Sequence, residues 1–172
     1  MSTATTPNYM LNPFTSADPD RHQIWEMLVA RDSEAFAAQD WRRVEDDFIA
    51  ERFEGIHANG SENPDDWTLS YSRLEDYRDD WLRQAKQYAK VPLADIGQRE
   101  LMFKLTRMNE IEICGDRAIC HKKFRADERL TNRERFKLAA QTIYRLHRVG
   151  RTWKIVGFIG YLPLLEKNRS RA

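Results

Sequence analysis

The stretch FKLAAQTIYRLHRVGRTWKIVGFIGY, residues 136–161, decides the fold class of this chain. Apolar and polar residues largely alternate from Phe136 to Arg148, which is the period of a β-strand, and a run rich in β-branched and aromatic residues follows from Trp153 to Tyr161. Val149-Gly150-Arg151 between them is a turn, and Pro163 stops the second strand. The stretch therefore predicts a long antiparallel β-hairpin.

The same two-residue alternation reaches back to Glu100. One further strand is predicted from there to Ile113, and another from Ala118 to Arg125. Gly115-Asp116 and Thr131-Asn132 supply the turns. Four strands in sequence joined by short turns predict an antiparallel meander.

The first half of the chain has the period of helices instead. Asp18-Pro19 begins a helix, and a bend near Asp32-Ser33 is predicted within it. Asp40 begins a second, short helix, and Ser72 with Glu75 predicts a capping box for a third. The apolar residues of these helices recur every three or four positions: Ile24, Trp25, Leu28, Trp41, Val44, Leu74, Tyr77 and Trp81. Helices first and a meander last indicate an α+β domain in which the helices cover one face of the sheet.

Size and charge are typical of one globular domain. The chain has 172 residues, 41% of them hydrophobic, and a formal net charge of +1. This balance gives no electrostatic reason to expect nucleic acid or an anionic membrane as partner. Neither a signal peptide nor an apolar run of the ~20 residues needed for a membrane span is recognisable, so we expect a cytoplasmic protein. We divide the chain into a flexible arm over residues 1–17, a domain over 18–163 and a basic tail over 164–172.

Several chemistry-bearing motifs are missing from the sequence. Four scattered histidines form no HxH or HExxH pattern, and no phosphate-binding glycine loop or GxSxG elbow occurs, so we expect neither a metal site nor a cofactor. The two cysteines, Cys114 and Cys120, lack CxxC spacing. They lie on either side of a predicted turn, so a bridge is geometrically possible, while buried reduced thiols suit the cytoplasm.

Three stretches together carry a family resemblance. They are Ala38-Gln39-Asp40-Trp41 ahead of Phe48, the turn from Cys114 to Ala118, and the closing hairpin from Tyr144 to Ile155. They resemble the NTF2-like superfamily in its SnoaL-like branch, over roughly residues 18–161.

The resemblance implies a cone-shaped α+β barrel, with N-terminal helices packed in the concave face of a curved antiparallel sheet and a pocket open at one end. Family enzymes are mostly cyclases, isomerases, dehydratases and epoxide hydrolases that use no cofactor. Other members are non-catalytic partners, such as the small subunit of ring-hydroxylating dioxygenases. Members often dimerise through the convex face of the sheet, so a homodimer is expected here.

Side-chain alternation predicts which residues line that pocket. The inward set is apolar and aromatic, as suits a small apolar ligand, although a plain core has the same composition. It comprises Leu101, Phe103, Leu105, Cys120, Phe124, Ala126, Leu138, Ala140, Thr142, Tyr144, Leu146, Val156 and Phe158, with Trp41, Tyr77 and Trp81 from the helices. Among these, the predicted ligand-binding residues are Trp41, Tyr77, Trp81, Phe103, Phe124, Thr142 and Phe158.

Three residues are candidates for chemistry. His57, on a short predicted strand at the pocket mouth, has the residue type of a general base near neutral pH, although a half-exposed histidine before a turn is the simpler interpretation. Tyr144 is the candidate hydrogen-bond donor to an enolate-like intermediate. Glu128 falls near the pocket rim as a further ligand-binding residue, although its charged neighbours equally suit a solvated position.

Comparison with scytalone dehydratase, an enzyme of this superfamily, excludes that enzyme's chemistry. Its Tyr-Asp pair aligns with Phe36 and Ala37, and its two strand histidines fall near Leu101 and Glu128.

Two functions therefore stay open. The first is binding of a small apolar metabolite, with lyase or isomerase activity. The second is a partner subunit that associates through an apolar strip on the convex face: Met102, Met108, Ile119, Ile143, Trp153, Ile155 and Ile159.

Overall fold

A computed structural model describes residues 5–164. Its helices are α1 (Pro19–Trp25), a π-helical segment (Glu26–Arg31), α2 (Asp32–Ala38), α3 (Leu74–Tyr88) and α4 (Gln98–Leu105). Its strands are β1 (Glu54–His57), β2 (Thr68–Tyr71), β3 (Thr106–Cys114), β4 (Arg117–Arg129), β5 (Arg135–Val149) and β6 (Thr152–Leu162). Short 3₁₀ turns occupy Asn8–Met10, Trp41–Arg43, Glu45–Asp47, Ala50–Arg52 and Pro64–Asp66.

The six strands form one curved sheet in the order β2-β1-β6-β5-β4-β3. Strands β3 to β6 make the predicted antiparallel meander, while β1 pairs with β6 in parallel and β2 closes that edge. Bulges interrupt the β3–β4 and β5–β6 ladders and bend the sheet. The helices cover its concave face, so the predicted α+β class and cone-shaped architecture are confirmed.

The N-terminal helix runs through α1, the π-helical segment and α2 without a break. Asp18 caps it by accepting a hydrogen bond from the Arg21 backbone N–H at 3.2 Å, and Pro19 takes the first helical position as predicted. A π-helical segment, Glu26–Arg31, immediately precedes Asp32-Ser33, where a bend was predicted. The residues of this helix that are buried in the core are Ile24, Trp25, Met27, Leu28 and Val29.

Residues 98–105 form helix α4, so the strand predicted to start at Glu100 is wrong over that range. Leu101 and Leu105 are four residues apart. Side chains at that spacing share a face both in a strand, where the period is two residues, and in a helix, where the period is 3.6. Packing decides for the helix, because Leu101, Met102 and Leu105 are all buried in the cluster that contains Ala35. The Thr106 hydroxyl donates to the Met102 carbonyl at 2.7 Å, and β3 begins there.

Other local predictions need smaller corrections. The short helix after Asp40 is a pair of 3₁₀ turns, although Trp41 is buried as expected. Strand β2 was not predicted. Helix α3 has no Ser72–Glu75 capping box: Arg73 is its N-cap residue and makes no side-chain cap hydrogen bond.

The arm is held against the body over its described part. Within residues 5–17, for which a flexible arm was predicted, the Tyr9 hydroxyl donates to Glu100 at 2.6 Å, and the Asn12 side chain donates to Glu26 at 2.9 Å. Phe14 packs against the core. Residues 1–4 and nearly all of the predicted basic tail, 165–172, lie outside the described residues. No helix within 5–164 combines the length and apolarity needed to cross a membrane.

Four residues assigned to the convex apolar strip are buried instead. Met102 belongs to α4, and Met108, Trp153 and Ile155 are core residues with exposures of 1–4%. The bulge in β6 explains Trp153 and Ile155, because its extra residue reverses the side-chain alternation beyond it. Met108 faces inward because β3 begins only at the buried Thr106, two residues earlier. Ile119, Ile143 and Ile159 do not belong to either core cluster.

The two cysteines are free thiols in different surroundings. Cys114 is exposed at the end of β3, whereas Cys120 is fully buried within β4 and faces Ile111 across the ladder. Burial raises the pKa of the Cys120 thiol to about 12.

We expect the native protein at pH 8 to react with a thiol reagent at Cys114 alone. The thiolate is the reactive form, and burial both raises the pKa of Cys120 and keeps its thiol out of contact with solvent. Mass spectrometry after iodoacetamide treatment measures the label, and Cys114→Ser should then abolish it until denaturant is added. Fast native labelling of Cys120 would contradict the burial described here.

Candidate functional site

A cavity of about 140 Å³ lies between the helices and the concave face of the sheet. Its walls are mostly apolar and aromatic. The helices contribute Asp32, Phe36, Tyr77, Trp81, Gln84, Tyr88, Met102 and Leu105, and the sheet contributes Lys122, Phe124, Leu138, Ala140, Thr142, Tyr144, Phe158, Gly160 and Tyr161.

Six of the predicted site residues meet at this cavity: Tyr77, Trp81, Phe124, Thr142, Tyr144 and Phe158. The other two aromatic candidates do not line it. Trp41 packs on Trp81 with ring centroids 5.3 Å apart, and Phe103 lies under the Arg99 guanidinium at 5.2 Å. Glu128 lies away from the cavity, where Lys104 pairs with its carboxylate at 2.7 Å.

The polar centre of the cavity is an ion pair that the sequence analysis missed. The Lys122 ammonium lies 2.6 Å from one carboxylate oxygen of Asp32, and Lys122 is only 2% exposed. The Trp81 indole N–H donates to the other carboxylate oxygen at 3.3 Å. Asp32 is therefore fixed from both sides by residues that also line the cavity.

Strand alternation places Lys122 inward, and the N-terminal helix with its π-helical segment places Asp32 inward. Lys122 lies on β4 between Cys120 and Phe124, and alternation turns all three toward the concave face. Asp32 is the first residue of α2, directly after the π-helical segment, and lines the cavity from there. The inward position of Lys122 in the alternation of β4 was the signal that the sequence offered.

The Lys122 ammonium has spare hydrogen-bonding capacity. It carries three donors, and among residues 5–164 only Asp32 accepts one of them. The rings of Phe124 and Tyr144 lie 5.5 Å and 5.9 Å from Nζ, so two aromatic faces stabilise the cation. A ligand oxygen in the cavity would find one or two unused N–H groups.

Two buried tyrosines complete the polar part of the wall. Burial raises the pKa of Tyr144 far above its usual value, and the negative charge of Asp32 adds to the effect. Burial likewise raises the pKa of Tyr77, whose hydroxyl interacts with that of Tyr144. Both phenols are therefore neutral at physiological pH and serve as hydrogen-bond donors.

A bulge in β6 shapes the mouth of the cavity. Gly160 and Tyr161 together oppose Thr142, because the pairing passes from Ile143–Ile159 to Gln141–Leu162. Tyr161 has φ 57°, a left-handed conformation that is uncommon for such a residue. The bulge turns its side chain across the opening, where the hydroxyl accepts a hydrogen bond from Gln84.

His57 lies outside this mouth. Its ring stacks on Tyr161 with centroids 3.9 Å apart, and its Nδ1 accepts a hydrogen bond from the Asn59 backbone at 3.0 Å. It lines an open outer depression of about 430 Å³, which shares Gln84, Tyr88 and Tyr161 with the inner cavity. The predicted base is thus next to the entrance, with Tyr161 between it and the inner cavity.

Asp80 organises the polar rim of the outer depression. The Tyr71 hydroxyl donates to it at 2.6 Å, and Arg83 and Gln84 also donate. Burial opposes ionisation of Asp80, but these three donors outweigh it and hold its pKa below the ordinary value. Within residues 5–164, no three His, Cys, Asp or Glu side chains are grouped so as to hold a metal ion.

We expect Lys122→Met to lower the free energy of unfolding by about 3 kcal/mol, because it leaves the Asp32 carboxylate without its partner. Asp32→Asn in the same background should recover about 1–2 kcal/mol of that loss, since it removes the unpaired charge. Urea unfolding of both single variants and the double variant measures the coupling. Strict additivity of the two changes would contradict a direct ion pair.

Comparison with known proteins agrees with this architecture. No protein-family model and no curated protein matches the sequence. An NTF2-like protein of unknown function from Pseudomonas putida KT2440 is 14% identical, with a TM-score of 0.56 over 92% of this chain and 94% of that one. One from Shewanella baltica OS155 is 15% identical, with a TM-score of 0.51 over 86% of this chain and 96% of that one.

A third solved structure comes from Streptomyces avermitilis and is provisionally described as a dehydratase of the NTF2-like family. It is 11% identical, with a TM-score of 0.55 over 87% of this chain and 99% of its own. At such identities the likeness establishes the fold and leaves the SnoaL-like branch a prediction. The chain has the NTF2-like fold.

Proposed function

We propose that this protein binds a small, largely apolar metabolite with one carbonyl or hydroxyl oxygen and acts on it as a cofactor-independent lyase or isomerase. The observation that carries the proposal is the Lys122–Asp32 ion pair inside an otherwise apolar cavity. A buried charge pair is costly to maintain in place of apolar packing, which makes it a candidate for chemistry.

The cavity volume limits the ligand. An engineered cavity of about 150 Å³ in another protein accommodates benzene, and the cavity here is about 140 Å³. The buried part of the ligand is therefore about one six-membered ring in size. A longer ligand would extend past Tyr161 into the outer depression, toward His57.

The polar groups suit proton transfer next to a carbonyl. A ligand carbonyl oxygen would accept an unused N–H of Lys122, and the hydroxyl of Tyr144 is a neutral donor nearby. Negative charge that develops on that oxygen is then stabilised by a fixed cation in a site with little water. Asp32, beside Lys122, would take the proton from the neighbouring carbon and return it elsewhere on the ligand.

Asp32 replaces His57 as the base in this mechanism. The carboxylate lines the inner cavity, whereas the imidazole lines only the outer depression. Tyr144 keeps the role predicted for it, as the donor that steadies an enolate-like intermediate.

We expect the protein to accelerate exchange of the α-protons of cyclohexanone in D₂O, measured by proton NMR. Asp32→Asn should reduce the rate by about a hundredfold or more, because the base is removed. Lys122→Met should weaken saturable binding of the ketone about tenfold, because it removes a charged hydrogen bond. Lys123→Met is the matched control and should change neither, since that lysine pairs with Glu110 on the other face.

Three outcomes are informative. Exchange that depends on Asp32 supports the enzymatic function. Saturable binding without proton exchange would support a ligand-binding function and reject the proposed lyase or isomerase activity. Binding or exchange that is unchanged in Lys122→Met would reject the cavity as the site.

We also propose that the convex face of the sheet associates with a second copy of the chain, as a homodimer. Ladder partners share a face, and one row across four strands is apolar: Leu69, Ile56, Ile159 and Ile143. Leu69 is 58% exposed. Such a continuous strip commonly marks an association surface.

Ile143→Lys should convert this dimer to a monomer in sedimentation experiments, because it places a charge in the middle of the row. Leu11→Lys, at an exposed apolar residue of the arm, is the control and should leave the association unchanged. A wild-type protein that is monomeric at high concentration would instead reject the homodimer.

A further inference from the structure

We propose that Lys122 is a nucleophile that forms an imine with the carbonyl carbon of a ring-sized ketone or aldehyde. This inference rests on the proposed function, because it uses the same cavity. It goes further in naming the substrate class and a covalent step. The observations behind it are the burial of Lys122, its contact with Asp32 and the aromatic faces around Nζ.

A lysine becomes nucleophilic when its amine is deprotonated in a site with little water. Lys122 is 2% exposed and lines the inner cavity, whose volume of about 140 Å³ suits a ring-sized ligand. Asp32 lies 2.6 Å away and is positioned to accept the ammonium proton. A surface lysine such as Lys123 has neither the enclosed cavity nor a shielded partner.

The step balances without any co-reactant. The Lys122 ammonium gives one proton to Asp32, and the free amine adds to the carbonyl carbon. The nitrogen then passes one of its two remaining protons to the former carbonyl oxygen, which gives a neutral carbinolamine. The carbinolamine then loses its hydroxyl as water, with the proton returned by Asp32. The ammonium and the ketone thus become a protonated imine and one water molecule.

Formation of the imine leaves the buried positive charge next to Asp32 in place. The protonated imine carries one positive charge on the same nitrogen, still facing the Asp32 carboxylate. The rings of Phe124 and Tyr144 face that nitrogen as they face the ammonium. The cavity therefore accommodates the covalent intermediate without creating or removing a buried charge.

The imine would also serve the proposed proton transfer. A protonated imine withdraws electrons from the neighbouring carbon more strongly than a carbonyl does, so a carboxylate removes the α-proton more readily. Asp32 lies beside Nζ and, among residues 5–164, is the one carboxylate that lines the inner cavity. The two residues would then act in sequence, Lys122 as nucleophile and Asp32 as proton carrier.

Reductive trapping tests the proposal. The full-length protein is incubated with cyclohexanone and sodium cyanoborohydride, and intact mass spectrometry and peptide mapping locate the cyclohexyl group. We expect one group per chain, on Lys122. Lys122→Arg should carry none, although it keeps a positive charge opposite Asp32 and so tests the amine without removing the ion pair. Asp32→Asn should slow trapping by about a hundredfold, and Lys123→Met should leave it unchanged.

The outcomes separate this proposal from the preceding one. Exchange of cyclohexanone protons that depends on Asp32, with no adduct on Lys122, would overturn the imine and leave the non-covalent mechanism. Adducts spread evenly over surface lysines, or unaffected by Lys122→Arg, would also overturn it. Absence of both binding and exchange would overturn the proposed function itself.

Discussion

The ion pair between Asp32 and Lys122 joins the N-terminal helix to the middle of the concave sheet face at 2.6 Å. A lysine that is 2% exposed requires such a partner, because an unpaired ammonium in apolar surroundings is far less stable than one in water. The helix must therefore cross the sheet where Asp32 meets β4. The surrounding aromatic residues follow from the same constraint, since Trp81 holds the second carboxylate oxygen and Phe124 faces the cation.

Irregular backbone gives the cavity its shape. The π-helical segment immediately precedes Asp32, and segments of this kind are frequently found at functional sites. The bulge in β6 directs Tyr161 across the mouth and separates the inner cavity from the outer depression. A regular helix and a regular ladder would place these side chains elsewhere. The cavity is thus enclosed by aromatic rings, yet its entrance is governed by one residue in an uncommon conformation.

Burial determines which polar residues of the site are neutral and which are charged. Tyr144 and Tyr77 remain neutral because desolvation disfavours their phenolates. Asp80 at the rim remains ionised because three donors surround it. Neutral donors therefore lie inside and charged groups outside, apart from the single pair at the centre. This distribution suits a ligand with an apolar body and one oxygen.

The sequence by itself determined the class and the layout. Alternation from Phe136 to Arg148 and the β-branched and aromatic run from Trp153 to Tyr161 both indicate strands, and five residues predicted from them and from the helix α3 pattern line the cavity. The strand predicted over Leu101 to Leu105 is wrong, because a spacing of four residues fits the period of a strand and that of a helix. Packing of these residues in the core stabilises the helix. Bulges moved Trp153 and Ile155 into the core, and nothing in the local pattern marks an extra residue in a ladder. Only the tertiary structure brought Asp32 to Lys122, because an ion pair between residues 90 positions apart depends on how the helix crosses the sheet.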